Sequence, residues 1–114
     1  MAVAYYFQPL IPMQRVPNSQ TVLYTGQATA TRIDKLTVVN TDTVLHTISI
    51  NIIPSGGSAG AGNLSTDAQV ILPGQTWNSP NEVGLMLNIG DEISVIGSAA
   101  TELNIIASGM IMTT

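Results

Sequence analysis

The sequence has 114 residues, enough for one packed domain and too few for two cores. Only 9% of residues are charged and the net charge is −4, where an ordinary soluble domain carries about 25% charged residues. The three basic residues, Arg15, Arg32 and Lys35, can build neither a phosphate-neutralising stripe nor a polybasic membrane patch. No nucleic-acid and no membrane partner is therefore expected.

There is no Cys, so disulfide and thiolate chemistry are excluded. That composition suits synthesis in a reducing cytosol. Uncharged polarity replaces charge: Thr, Ser, Asn and Gln make up 36 of the 114 residues. A surface so poor in charge repels its neighbours weakly. Much of it is expected to meet other protein, with a neutral monomer as the plainer alternative.

Residues 1–20 hold Pro9, Pro12 and Pro17 and no clear periodicity. They are expected to form an extended, irregular N-terminal arm. The start of the chain lacks a basic n-region, and Gln8 and Pro9 cut its apolar run short, so no export signal is expected. Tyr5, Tyr6 and Phe7 stand on this arm, three of the five aromatic residues. They are large apolar anchors, expected to dock on the chain's own sandwich or on a neighbouring subunit.

From Thr21 the pattern turns to β, and residues 21–114 are expected to form the domain proper. Residues 21–25 read as a short strand ended by Gly26. Residues 28–40 read as a longer one with Leu36 and Val38 on one face. Its phase slips near Asp34 and Lys35, which predicts a bulge or bend. Asn40-Thr-Asp-Thr43 is a turn. From Val44 to Ile52, apolar and polar residues alternate, as in a half-buried strand. Pro54 ends it, and residues 55–62 form a Gly-rich flexible loop. Ala68–Leu72 is a strand stopped by Pro73-Gly74. Trp77 and a turn cluster follow at residues 78–81. Val83, Leu85, Leu87 and Ile89 alternate across another strand, and Gly90-Asp91 turns into a strand over residues 92–96.

Leu103–Met112 is the last strand. It is apolar on both faces, with Leu103, Ile105, Ala107 and Ile111 on one and Ile106, Met110 and Met112 on the other. Such a strand is central or lies at a subunit contact. Ile106, Met110 and Met112 are expected between copies. Short strands with turn signals between them predict an all-β fold: an antiparallel two-sheet sandwich, jelly-roll or immunoglobulin-like, of seven to eight strands.

Chemistry finds little purchase. His46 is the single histidine, and Asp42 lies four residues earlier. Nucleophilic catalysis needs a hydroxyl and an orienting carboxylate around such a base. His46 shares parity with aliphatic residues and reads as a strand-end histidine bonded to backbone. One His and scattered carboxylates give no metal-ligand spacing, and the acidic pair Asp91-Glu92 reads as a solvated turn. The Gly-rich loop lacks the Lys and the following helix of a phosphate loop. No catalytic residue, metal or cofactor is expected. Trp77 and Tyr24 are weighed as a sugar-stacking platform against Trp77 as a cap on the core.

The order of these segments carries a resemblance. Ile33-Asp-Lys-Leu-Thr-Val-Val-Asn-Thr41 is followed by Ile48-Ser-Ile-Asn-Ile-Ile-Pro-Ser-Gly-Gly-Ser58, then Ile71-Leu-Pro-Gly74, then Leu87-Asn-Ile-Gly-Asp-Glu-Ile93. Over residues 21–112 this resembles small virion structural proteins of tailed bacteriophages. Some of these are capsid decoration, or cement, proteins; others belong to the neck, tail or fibres. The resemblance implies a non-enzymatic subunit on the capsid surface of the virion, made in the host cytoplasm. Its implied partners are the major capsid protein or other virion proteins, and further copies of itself, a trimer being favoured. A carbohydrate- or receptor-binding module is the alternative from another class.

Overall fold

The computed structural model describes residues 3–113. Nine strands form among them: β1 Ala4–Arg15, β2 Thr21–Thr25, β3 Ala30–Asn40, β4 His46–Ile53, β5 Leu64–Ile71, β6 Thr76–Asn78, β7 Met86–Asn88, β8 Glu92–Gly97 and β9 Leu103–Thr113. The only helical element described is a single 3-10 turn at Ala61–Asn63. The fold is all-β. One sheet runs β1-β9-β3-β6, with β7 also paired to β3; the other runs β2-β8-β4-β5. Every pairing is antiparallel.

β6 and β7 pair with opposite ends of β3, so they act as one interrupted strand. Counted that way, eight strands wrap across two sheets in jelly-roll order. That order separates the two sandwich types the sequence left open.

The alternating aliphatic residues face each other between the sheets. Ile11, Ile33, Leu36, Val38, Leu103 and Ile105 come from the first sheet, and Ile48, Ile50, Ile71, Ile93 and Val95 from the second, all fully buried. β9 is central in its sheet, flanked by β1 and β3. The expected phase slip is present, as a register shift between Ile33 and Lys35 against β9.

Two segments differ from expectation. Residues 4–15, read as an irregular arm, form the edge strand of the first sheet, paired with β9 from Ala4↔Thr113 to Arg15↔Asn104. Leu10, Ile11 and Val16 are buried in the core. Proline is tolerated because β1 is an edge: a missing N–H there costs no ladder bond, and bulges absorb the rest. The register shifts fall between Pro9 and Ile11 and between Ile11 and Gln14. The second difference is the strand expected over residues 83–89. Only Met86–Asn88 is strand, with Gly84 N–H and the Leu85 carbonyl oxygen bonding the Ile33 backbone just before it, while Val83, Leu85 and Ile89 are exposed. Gly84 and Gly90 sit at φ +88° and +87°, which bends the chain on both sides of the short strand.

Candidate docking face

The outer face of the β1–β9–β3 sheet holds most of the exposed bulky side chains that pair across strands. Residues directly opposite in a ladder share a face. Phe7 is opposite Met110, Met110 opposite Arg32, and Arg32 opposite Met86. Beside this row runs a second, Tyr5–Met112–Ala30–Asn88. Phe7 is 79% exposed, Tyr5 59% and Met86 58%. Ile106 lies further along the same face of β9, opposite Thr37 and 37% exposed.

The two groups that the sequence assigned to different contacts therefore lie partly on one surface. Tyr5 and Phe7 stand on it with Ile106, Met110 and Met112. Tyr6 does not: it is opposite Ile111, on the inward-facing side of the ladder. The contiguity of the patch was invisible because it depends on the long-range register of β1 on β9.

The charge of Arg32 is neutralised at the centre of this face, while Lys35, opposite Ser108 on the same face, is exposed. Arg32 Nε donates to Asp34 Oδ1 at 2.6 Å. That bond, and then the carboxylate's charge, push the guanidinium further above its ordinary value. Aromatic rings, methionines and an internally paired arginine form a surface suited to an apolar protein partner.

Trp77 and Tyr24 are not brought together. Trp77 is opposite Val38, and both rings pack against the core. The Tyr24 hydroxyl lies 3.0 Å from Thr31 Oγ1. Thr31 and Val38 are seven residues apart on β3, about 23 Å at the rise of a strand. No single sugar ring spans that distance.

His46 has side-chain partners on both nitrogens, where backbone partners were expected. Its Nε2 is 2.8 Å from Asp42 Oδ2 and its Nδ1 is 3.1 Å from Ser98 Oγ. Ser98 Oγ also accepts the Thr47 N–H at 2.9 Å. The imidazole bond, followed by the Thr43 N–H, holds the Asp42 carboxyl below its ordinary value of 3.8. This triplet ties the turn before β4 to the end of β8. None of its three residues lines the cavities of about 240–540 Å³ among the described residues.

Asp91 accepts the backbone N–H groups of Ser55 (3.0 Å) and Asn88 (2.8 Å), so it fastens loops as well as meeting water. Among the described residues, no group of three or more His, Cys, Asp or Glu is placed to hold a metal ion. No helix among them is long and apolar enough to cross a membrane.

Sequence reasoning missed Glu82, which is fully buried. Its carboxyl group accepts hydrogen bonds from Ser65 Oγ (2.6 Å), Thr66 Oγ1 (2.7 Å) and Ser79 Oγ. It pins the 79–85 loop, which leads into β7 and Met86, against β5. The one available signal was Ser79-x-x-Glu82, a hydroxyl and an acid three residues apart, as in a local cap.

No family model matches the chain, and no curated protein matches it. Solved structures do share its fold. One is described as "Bacillus endospore appendages form a novel family of disulfide-linked pili", at 13% identity and a TM-score of 0.57, covering 100% of this chain and 91% of that one. Another is the VP2 subviral particle of infectious bursal disease virus, at 12% identity and a TM-score of 0.50, covering 96% of this chain and 32% of that one. The chain thus spans about a third of the viral protein. Identities this low establish a shared fold.

Proposed function

We propose that this chain is a non-enzymatic structural subunit that works by adhesion, and that it decorates the capsid lattice of a tailed-bacteriophage particle. The observation that carries this reading is the outer face of the first sheet. Phe7, Tyr5, Met110, Met112 and Met86 form one apolar surface around an internally paired Arg32. A chain with 9% charged residues can lay such a face on a neighbour with few ion pairs to desolvate. A subunit that binds only the assembled lattice stabilises it by its binding free energy. The proposed partners are the major capsid protein and further copies of the chain, a trimer being favoured. The particle reading draws on the segment order of residues 21–112, which resembles that of small phage virion proteins.

A second reading, a filament subunit, is favoured by one observation: the pilus fold matches nearly the whole of both chains. The present sequence has no Cys, so such a filament would be held together without disulfides.

Deleting residues 1–12 would be a poor test, because it removes an edge strand and the buried Leu10 and Ile11. Replacing Tyr5 and Phe7 by Asp leaves the core intact. The double variant is expected to fold, by circular dichroism, and to lose occupancy on purified particles. Full occupancy would overturn the docking assignment. A copy number that scales with the capsid lattice supports decoration; a few copies per particle place the chain in a neck, tail or fibre.

A further inference from the structure

A cavity of about 540 Å³ opens between the two sheets, in a region the docking face does not use. Its walls come from the inward side of β1, from β2, from the segment leading into β3 and from the end of β9. This volume lies within the range of small-molecule sites, about 300–1,000 Å³. We infer that the cavity is a binding site for a neutral saccharide.

The first argument is charge. Among the described residues, no Asp, Glu, Lys, Arg or His lines the cavity. An anionic or cationic ligand would enter without a counter-charge and lose its hydration. Nucleotides, phosphates, acidic sugars and metal ions fit poorly.

The second argument is the pattern of polar groups. Gln8 and Gln27 line the cavity at exposed positions, and among the described residues neither amide takes part in a side-chain hydrogen bond. Each primary amide offers two donors and an acceptor with two lone pairs. Thr25 adds a hydroxyl to the lining. Amides and a hydroxyl along the wall of a neutral cavity match a ligand rich in hydroxyls.

The third argument is Tyr24. Its ring forms part of the wall and packs against the core. Its hydroxyl is held 3.0 Å from the buried Thr31 Oγ1. The ring is therefore fixed before any ligand arrives, which lowers the ordering cost of binding. A rigid aromatic wall with Leu23 and Ile111 beside it suits the apolar C–H face of a pyranose. Hydroxyl-rich edges with an apolar face, and no charge, describe a neutral sugar.

The site is independent of the adhesive role, because Gln8 and Gln27 lie off the Phe7–Met110–Met86 row. The test uses the full chain on an array of neutral and sialylated oligosaccharides, followed by NMR titration with the strongest neutral hit. Binding of a neutral glycan is expected, with shifts at Tyr24, Gln27 and Ile111. Gln27→Ala and Gln8→Ala, both at exposed positions, are each expected to weaken it about tenfold, one lost hydrogen bond or slightly more. Trp77→Phe, at the other end of β3, is expected to leave it unchanged. The inference is overturned if no neutral glycan binds, if only sialylated glycans bind, or if Gln8→Ala and Gln27→Ala bind as well as the parent. Particle occupancy of these same variants is expected to stay at the parent level, so failure of the sugar site and failure of the docking face read out separately.

Discussion

Replacing Glu82 by Ala removes a carboxyl group that has no contact with water. Three hydroxyls then lose their acceptor. Ser65 Oγ retains the Ile50 carbonyl oxygen at 3.2 Å. Thr66 and Ser79 are buried; each hydroxyl still accepts a bond from Asn81, but among the described residues neither has another acceptor for its own proton. Each stranded buried hydroxyl costs about 1–3 kcal/mol, so the pair costs about 2–6 kcal/mol. A middle value of about 4 kcal/mol is a large part of the 5–15 kcal/mol that holds a typical domain folded. In urea, with a slope of about 2 kcal/mol per molar, the midpoint should fall by about 2 M with the slope unchanged. Glu82→Gln keeps one acceptor oxygen and should lose less than half as much. Combining Glu82→Leu with Thr66→Val and Ser79→Ala should recover part of the loss: the two hydroxyls leave together with their acceptor, while Asn81, an exposed residue, gives up its bonds from N–H to Ser79 Oγ and from Nδ2 to Thr66 Oγ1. A loss under about 1 kcal/mol for Glu82→Ala would refute the claim that this carboxyl group holds the loop before β7.

Gly109→Ala would drive a Cβ into the Arg32 carbonyl oxygen and to 2.9 Å from Leu10 Cδ1. A loss of about 2–3 kcal/mol is expected by thermal denaturation, while Gly62→Ala, where nothing lies within 4 Å, should be neutral. Asp42 has a lowered folded pKa. Its contribution is fully present above its unfolded value of 3.8 and is lost as pH falls through the lower folded value. Unfolding measured at pH 6 and pH 2.5 should show a smaller acid loss for Asp42→Asn than for the parent; an equal loss would count against the His46 and Thr43 bonds. Phe7 is 79% exposed. Burying its ring against a partner removes on the order of 150 Å² of apolar surface, up to about 4 kcal/mol. Phe7→Asp should therefore weaken docking at least about 30-fold in a particle-binding titration. A change under threefold would remove Phe7 from the interface.

Most of the strand pattern was legible because half-buried strands write their burial into alternate residues. Ile48 and Ile50, or Ile105 and Ala107, announce an inner face directly. The slip at Asp34 and Lys35 was legible for the same reason. What stayed hidden depends on long-range register or on edges. The prolines of β1 signal irregularity to any local reading, yet an edge strand with bulges accommodates them. The alternation of Val83, Leu85, Leu87 and Ile89 promised a full strand. Gly84 and Gly90 at positive φ restrict the regular strand to three residues. Of the docking face, the residue types were legible and the surface was not. Tyr5 and Phe7 meet Met112 and Met110 across more than a hundred residues of sequence. Tyr6, adjacent in sequence, falls on the opposite side. Glu82 stayed hidden because a carboxylate is by default assigned to solvent, and its three hydroxyl partners come from two separate segments.

The account rests on adhesion through the outer face of β1, β9 and β3. Electron cryomicroscopy of the assembly that carries this chain tests it most directly. The account predicts that Tyr5, Phe7, Met110 and Met86 are buried against a neighbouring protein. Density showing those four side chains in open solvent, with the subunit held by another surface, would contradict it.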